Sequence, residues 1–183
     1  MLISSSLIFF CQSLETEEET EELFQKGNSL LEEGHLLEAI DIYAEVVDAD
    51  SGHMNAYANR GLAHSYLEDY EQAIEDFTKA LELDPKQKNP ELPTLFLNRG
   101  FAYSNVGEIE KAFEDYGQAL RMNSAFAEAF CNRGMLNQKQ NLMERAMSDY
   151  RMAVDCAPES EAGLLAVRLL SELEGRLEER QED

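Results

Sequence analysis

Cations are scarce in this chain of 183 residues. Fifteen Lys and Arg stand against 37 Asp and Glu, leaving a formal charge of −22. Phosphate binding depends on clustered cations, so a nucleic-acid partner is excluded. Attachment to an anionic membrane surface by charge is excluded on the same ground. Three cysteines, Cys11, Cys131 and Cys156, are odd in number and widely spaced. That argues against a disulfide framework and against a zinc site, which wants paired ligands a few residues apart. No run reaches the ~18 apolar residues of a membrane-spanning helix. Tryptophan is absent and proline occurs four times, yet 44% of the residues are hydrophobic, which excludes a disordered acidic tail.

What the chain does contain is a repeat. Asn59-Arg60-Gly61 recurs as Asn98-Arg99-Gly100 and Asn132-Arg133-Gly134. With Gly27, the glycines are spaced by 34, 39 and 34 residues. Ala39, Ala73, Ala112 and Ala146 follow each glycine at one fixed offset, and Tyr43, Phe77, Tyr116 and Tyr150 follow each alanine at another. Leu23, Tyr57, Phe96 and Phe130 precede each glycine by one helical turn. A period of 34 with one five-residue insertion near 88–92 means stacked two-helix units. Glycine inside a helix costs ~1 kcal/mol relative to alanine, so four glycines in register need a reason, and close approach of paired helices supplies one.

These columns resemble the tetratricopeptide repeat family over most of the chain. Gly61-Leu62-Ala63, Tyr70, Ala73, Phe77, Ala80 and Asp84-Pro85 match one unit almost in full. Ser51 and Ser124 stand where that family often closes a repeat with proline, so looser turns are expected there. The resemblance implies an all-α solenoid of four helix-turn-helix repeats, at 20–53, 54–87, 93–126 and 127–160. The helices are expected near 20–33, 36–49, 54–67, 70–83, 91–106, 109–122, 127–140 and 143–156. Residues 161–183 form a C-terminal capping helix, with Leu164, Val167, Leu170, Leu173 and Leu177 as its apolar stripe.

Three repeats carry a charge pair at one constant offset: Arg60 with Asp76, Arg99 with Asp115, Arg133 with Asp149. The first repeat has Lys26 and Ile42 instead. The pairs are expected to bridge the two helices within a repeat.

The resemblance further implies that the first helix of each repeat lines a concave groove. Its free face offers Asn28, Asn59, Leu62, Tyr66, Leu97, Asn98, Phe101, Asn105, Asn132, Met135 and Lys139 as groove residues. Asparagine both donates and accepts, so an asparagine column can hold the backbone of an extended peptide whatever its sequence. Related arrays hold peptides by such ladders. Leu62, Phe101 and Met135 would form apolar pockets. The family's chaperone-binding members clamp a terminal carboxylate with Lys and Arg. The corresponding positions hold Phe24, Asn28, Asn59, Thr94 and Asn98, or Ala58, Leu62, Asn98, Glu128 and Asn132. The asparagines are partly kept and every clamp cation is missing, so binding of chaperone tails is not expected. A neutral-to-basic peptide or protein partner suits the −22 field.

No catalytic residue, cofactor or metal site is expected. His35, His53 and His64 are not spaced as ligands, and phosphate-loop and Cys-x-x-Cys motifs are lacking. Cys131 falls on the groove side, where a small residue at a tolerant position is the favoured reading. Residues 1–19 lie outside the array. Leu7 to Cys11 looks like the tail of a bacterial lipoprotein signal with Cys11 as the lipidated residue, but no Lys or Arg precedes Lys26. Two alternatives to a peptide-binding scaffold therefore stand: a lipoprotein or envelope assembly factor, membrane-anchored only through Cys11, and an array that buries its own groove. A cytoplasmic location is the favoured expectation.

Overall fold

The computed structural model describes the backbone of residues 5–84, 86 and 88–182, and the side chains of 17–84, 86 and 88–176. Among these, all regular structure is helical. The helices are α1 (Ser5–Glu32), α2 (Leu36–Ala49), α3 (Met54–Tyr66), α4 (Tyr70–Leu83), α5 (Leu92–Val106), α6 (Ile109–Met122), α7 (Ala127–Lys139), α8 (Met143–Cys156) and α9 (Glu161–Glu182). They fall into two compact units, 1–86 and 87–183. The first holds α1 to α4, with α1 packed on α2, α2 on α3 and α3 on α4. The second holds α5 to α9, packed α5 on α6, α6 on α7, α7 on α8 and α8 on α9. In each unit the first helices of successive pairs also touch, α1 with α3 and α5 with α7.

The glycine column explains how each pair closes. A Cβ built on Gly27 would lie 2.7 Å from the Tyr43 ring, on Gly61 2.9 Å from Phe77, on Gly100 3.0 Å from Tyr116, and on Gly134 2.6 Å from Tyr150. The ring of the second helix lies against the bare backbone of the first. Tyr43, Phe77, Tyr116 and Tyr150 are buried there, and so are the four column alanines.

The turn inside each pair is also built alike. Gly34, Glu68, Gly107 and Asn141 occupy the left-handed region at φ 80°, 61°, 85° and 61°. The next amide reaches back to the helix in every repeat: His35 N–H to Leu30 O at 2.8 Å, and Asp69 to His64, Glu108 to Tyr103 and Leu142 to Asn137 each at 2.9 Å. This is the six-to-one closure of a Schellman cap. Between pairs, the Asp50 and Asn123 side chains accept from the amides of Gly52 (2.9 Å) and Ala125 (3.1 Å). Asx turns therefore hold the junctions at Ser51 and Ser124, where looser turns were expected.

The three Arg–Asp pairs bridge the helices of their own repeats, each through two hydrogen bonds. Arg60 donates to Asp76 at 2.8 and 2.6 Å, Arg99 to Asp115 at 2.7 and 2.9 Å, and Arg133 to Asp149 at 3.0 and 2.6 Å. The carboxylates are buried. Each guanidinium also lies over the aromatic ring one turn earlier: Tyr57, Phe96 and Phe130 at 5.4, 5.8 and 5.5 Å. Cation–π attraction thus adds to the charge-assisted bonds. In the first repeat Ile42 is buried in place of the aspartate.

Two expectations need correction. Helix α1 is described from Ser5 rather than from near residue 20, so the acidic stretch after Cys11 lies inside a helix. The cap's expected stripe faces inward only in part, with Leu170 half-buried. Leu164 and Val167 are 60% and 45% exposed, while Ala162, Ala166 and Leu173 are buried. A Cβ on Gly163 would overlap the Ala157 carbonyl, so it is the small residues of α9 that come closest to the chain leaving α8. Leu177 lies outside the described side chains.

Gly134→Ala tests the ring contact. In an ordinary helix interior this change stabilises by ~1 kcal/mol. Here overpacking of ~1–3 kcal/mol opposes it, and a net loss in urea unfolding is expected. A gain would mean that the ring is free to move aside.

Candidate peptide-binding faces

The buried tyrosines link the core to the front of the first helices. Tyr43 donates its hydroxyl to Asn28 Oδ1 at 2.8 Å, and Tyr150 to Gln138 Oε1 at 2.7 Å. Ser104 is the polar residue beside the Tyr116 hydroxyl and opposes the rise in its pKa. The second repeat has Phe77 at this position, and Ser65, the counterpart of Ser104, has a buried hydroxyl with no partner. Burial raises the tyrosine pKa values, moving that of Tyr43 up to about 12 with Asn59 opposing through its hydrogen bond. Tyr116 and Tyr150 are pushed up as well, again chiefly by burial.

In the first unit, Asn28, Asn59, Leu62 and Tyr66 sit on neighbouring helices α1 and α3. Asn59 Nδ2 donates to Asn28 Oδ1 at 2.8 Å, the same oxygen that accepts from Tyr43. Asn28 Nδ2 in turn points to Gln25 at 3.4 Å. These carboxamides are occupied by one another. Leu62 is half-buried and Tyr66 is 61% exposed.

The second unit is different. Asn98 on α5 and Asn132 on α7 are half-buried, and neither side chain has a hydrogen-bond partner among the described residues. Beside them Phe101 and Met135 are 40% and 36% exposed. Asn105 turns its amide back to the Phe101 carbonyl at 2.9 Å and contributes little outward. Lys139 is exposed at the end of α7.

Leu97 does not belong to this face. It is 7% exposed and faces the core, one residue out of register with Asn98. Cys131, in the same column, is also buried, and its thiol is pushed up to about 11, first by burial and then by Glu128. The groove-side placement of both was wrong by one helical step of about 100°. The side chain of Cys11 lies outside the described residues.

Met135 and Lys139 also line a cleft of about 530 Å³ with Gln138, Asn141, Met143 and Arg176. Arg176 belongs to α9, where no repeat register exists to point to it. Asn141 and Met143 lie in the turn and at the start of the second helix, outside the face that the repeat pattern picks out.

Family models described as tetratricopeptide repeat match residues 55–87 and 97–161, together more than half of the sequence. The chain belongs to the tetratricopeptide repeat family. Serine/threonine-protein phosphatase T of Schizosaccharomyces pombe is 45% identical over 49 residues, 27% of this chain and 10% of that relative. The chain spans about a fifth of the length of other curated relatives it matches. Among solved structures, one described as MamA protein aligns with a TM-score of 0.74 at 20% identity, over 91% of this chain and 88% of its own. The second TPR domain of human RPAP3, solved with the HSP70 peptide SGPTIEEVD, aligns with a TM-score of 0.61 at 24% identity, over 67% of this chain and 98% of its own. These likenesses show the fold, and with the family match they support a protein-interaction scaffold.

Two outcomes follow from the tyrosine column. Phe77→Tyr offers the buried Ser65 hydroxyl a partner and is expected to stabilise by ~0.5–1.5 kcal/mol in urea unfolding; a loss would show that the ring edge has no room. The alkaline limit of the fold follows from proton bookkeeping. Tyr43, Tyr116 and Tyr150 hold their protons when folded to higher pH than when unfolded. Their contribution is complete below about pH 10 and is lost as pH rises through the folded values. The urea midpoint should fall steeply there, less so in Tyr116→Phe, and a flat midpoint would contradict the shifts.

Proposed function

We propose that the chain is an interaction scaffold that holds an extended peptide segment of a partner on the α5–α7 face of the second unit. The observation that carries this reading is the pair of unpartnered carboxamides, Asn98 and Asn132, beside the exposed Phe101 and Met135. Half-buried amides with no internal partner are ready to exchange water for a peptide backbone at little cost in reorganisation. The two large side chains then cover the ligand's apolar groups. The first unit supports binding less directly, because Asn28 and Asn59 already satisfy each other.

The human RPAP3 domain, whose fold this chain shares, is described with a bound peptide. That peptide's acidic tail is not carried over as a ligand. The clamp positions here hold Phe24, Thr94, Ala58 and Glu128, and Phe24 is buried. A neutral-to-basic segment remains the favoured partner in the field of −22.

The test is selection of peptides from a displayed random library on the full chain, followed by titration of the selected peptides. Asn98→Ala with Asn132→Ala should weaken them about tenfold or more, since each lost bond contributes ~0.5–1.5 kcal/mol. Undiminished affinity in a variant that still folds would refute the assignment.

A further inference from the structure

The geometry points to a carboxylate pocket in the second unit: the cleft between the end of α7, the start of α8 and α9 takes one Asp or Glu side chain of the bound segment. This rests on the peptide-binding reading and specifies its ligand.

The lining of the cleft is the first argument. Lys139 and Arg176 are two cations on one cleft, and neither has an ion-pair partner among the described residues. Lys26, Lys86, Arg121, Arg145 and Arg168 likewise lack an ion-pair partner among the described residues, so what sets Lys139 and Arg176 apart is that they share one cleft. Lys79, Lys111 and Arg151 are all paired on the surface, with Glu82, Glu108 and Glu174. Gln138 adds a donor. Its Oε1 accepts from the Tyr150 hydroxyl at 2.7 Å, so the group it has left to offer is its amide NH₂. The Asn141 backbone amide is engaged with the Gln138 carbonyl at 3.0 Å, which leaves its side-chain carboxamide free. Among the described residues, no carboxylate lines the cleft. Donors dominate, and the group that satisfies several convergent donors is an anion.

The second argument is reach. Asn132, Met135 and Lys139 follow one another at helical spacing on one face of α7. Asn132 and Lys139 are about 10 Å apart along the helix axis. That is about three residues of extended peptide. A segment held by Asn132 therefore brings a side chain about three positions away to Lys139. Met135 and Met143 flank the cleft and can adapt to the stem of that side chain.

The third argument is charge. The −22 field opposes a polyacidic ligand on approach, but charges beyond about 8 Å are screened at physiological salt. One acidic side chain in an otherwise neutral-to-basic segment satisfies both the field and the cleft. The cleft is open to solvent, so a chain can pass across it and no chain end is needed.

The experiment uses the full chain and an array of acetylated, amidated peptides drawn from the library selection, each made with Glu, Gln or Lys scanned through every position. A parallel set carries Gln throughout and a free C-terminal carboxylate. Wild type should prefer Glu to Gln about tenfold at one position. Lys139→Gln with Arg176→Gln should abolish that preference and leave the Gln peptides bound as before. Asn98→Ala with Asn132→Ala should weaken Glu and Gln peptides alike. The pocket is overturned if wild type shows no preference, if the preference survives the loss of both cations, or if only the free C-terminus is favoured. If peptides bind with no Glu preference, the pocket fails alone; if no peptide binds, the peptide-binding reading fails with it.

Discussion

Contact between a bare glycine backbone and a flat aromatic ring fixes this fold. In every repeat the ring of the second helix comes within about 3 Å of where a Cβ would stand on the first. Nothing larger than hydrogen fits, so the separation of the two helices is set by the sequence and not by adaptable packing. Because each ring is clamped in place, its tip is aimed. The hydroxyls of Tyr43, Tyr116 and Tyr150 emerge at polar residues on the front of the first helix. A core contact thereby orients the side chains that face a ligand.

Charge reinforces the same geometry. The Arg–Asp pairs join the two helices beside the glycine, and the buried carboxylates depend on them, since an unpaired buried charge costs several kcal/mol. Asp149 goes further and also accepts from Asn137 at 2.8 Å. The first repeat dispenses with the pair and buries Ile42 instead. Apolar packing and a satisfied ion pair are thus interchangeable in this position, as expected when desolvation nearly cancels attraction.

The repeat was legible in the sequence because its contacts are made by fixed residue types at fixed spacings. Glycine, alanine, aromatic, Arg and Asp columns each report a pairwise contact that recurs in the structure. What could not be read from them were features that depend on rotation about one helix. Leu97 adjoins Asn98 in sequence but points about 100° away, into the core. The cap was misjudged for a related reason. Its leucines form a clear stripe, yet Gly163 and the alanines allow closer approach and take the buried side, leaving Leu164 and Val167 outside. The asparagine column was visible too, but its partners were not. Only coordinates show that Asn59 is tied to Asn28 while Asn98 and Asn132 are not.

That last contrast is what the proposed binding face rests on. Residues that obey the repeat hold the fold, and most of them recur from copy to copy. Residues free to act are the ones the fold has not used. Two asparagines in the first unit serve each other and the Tyr43 hydroxyl, so a ligand there would have to break existing bonds to gain new ones. Their counterparts in the second unit exchange only water. Lys139 and Arg176 follow the same logic: acids are abundant, yet the described ones leave both cations unneutralised at a single cleft. Binding capacity in such an array tracks the polar groups left over after the helices have satisfied one another, and the proposed peptide face on α5–α7 and the proposed pocket beside it follow from that principle.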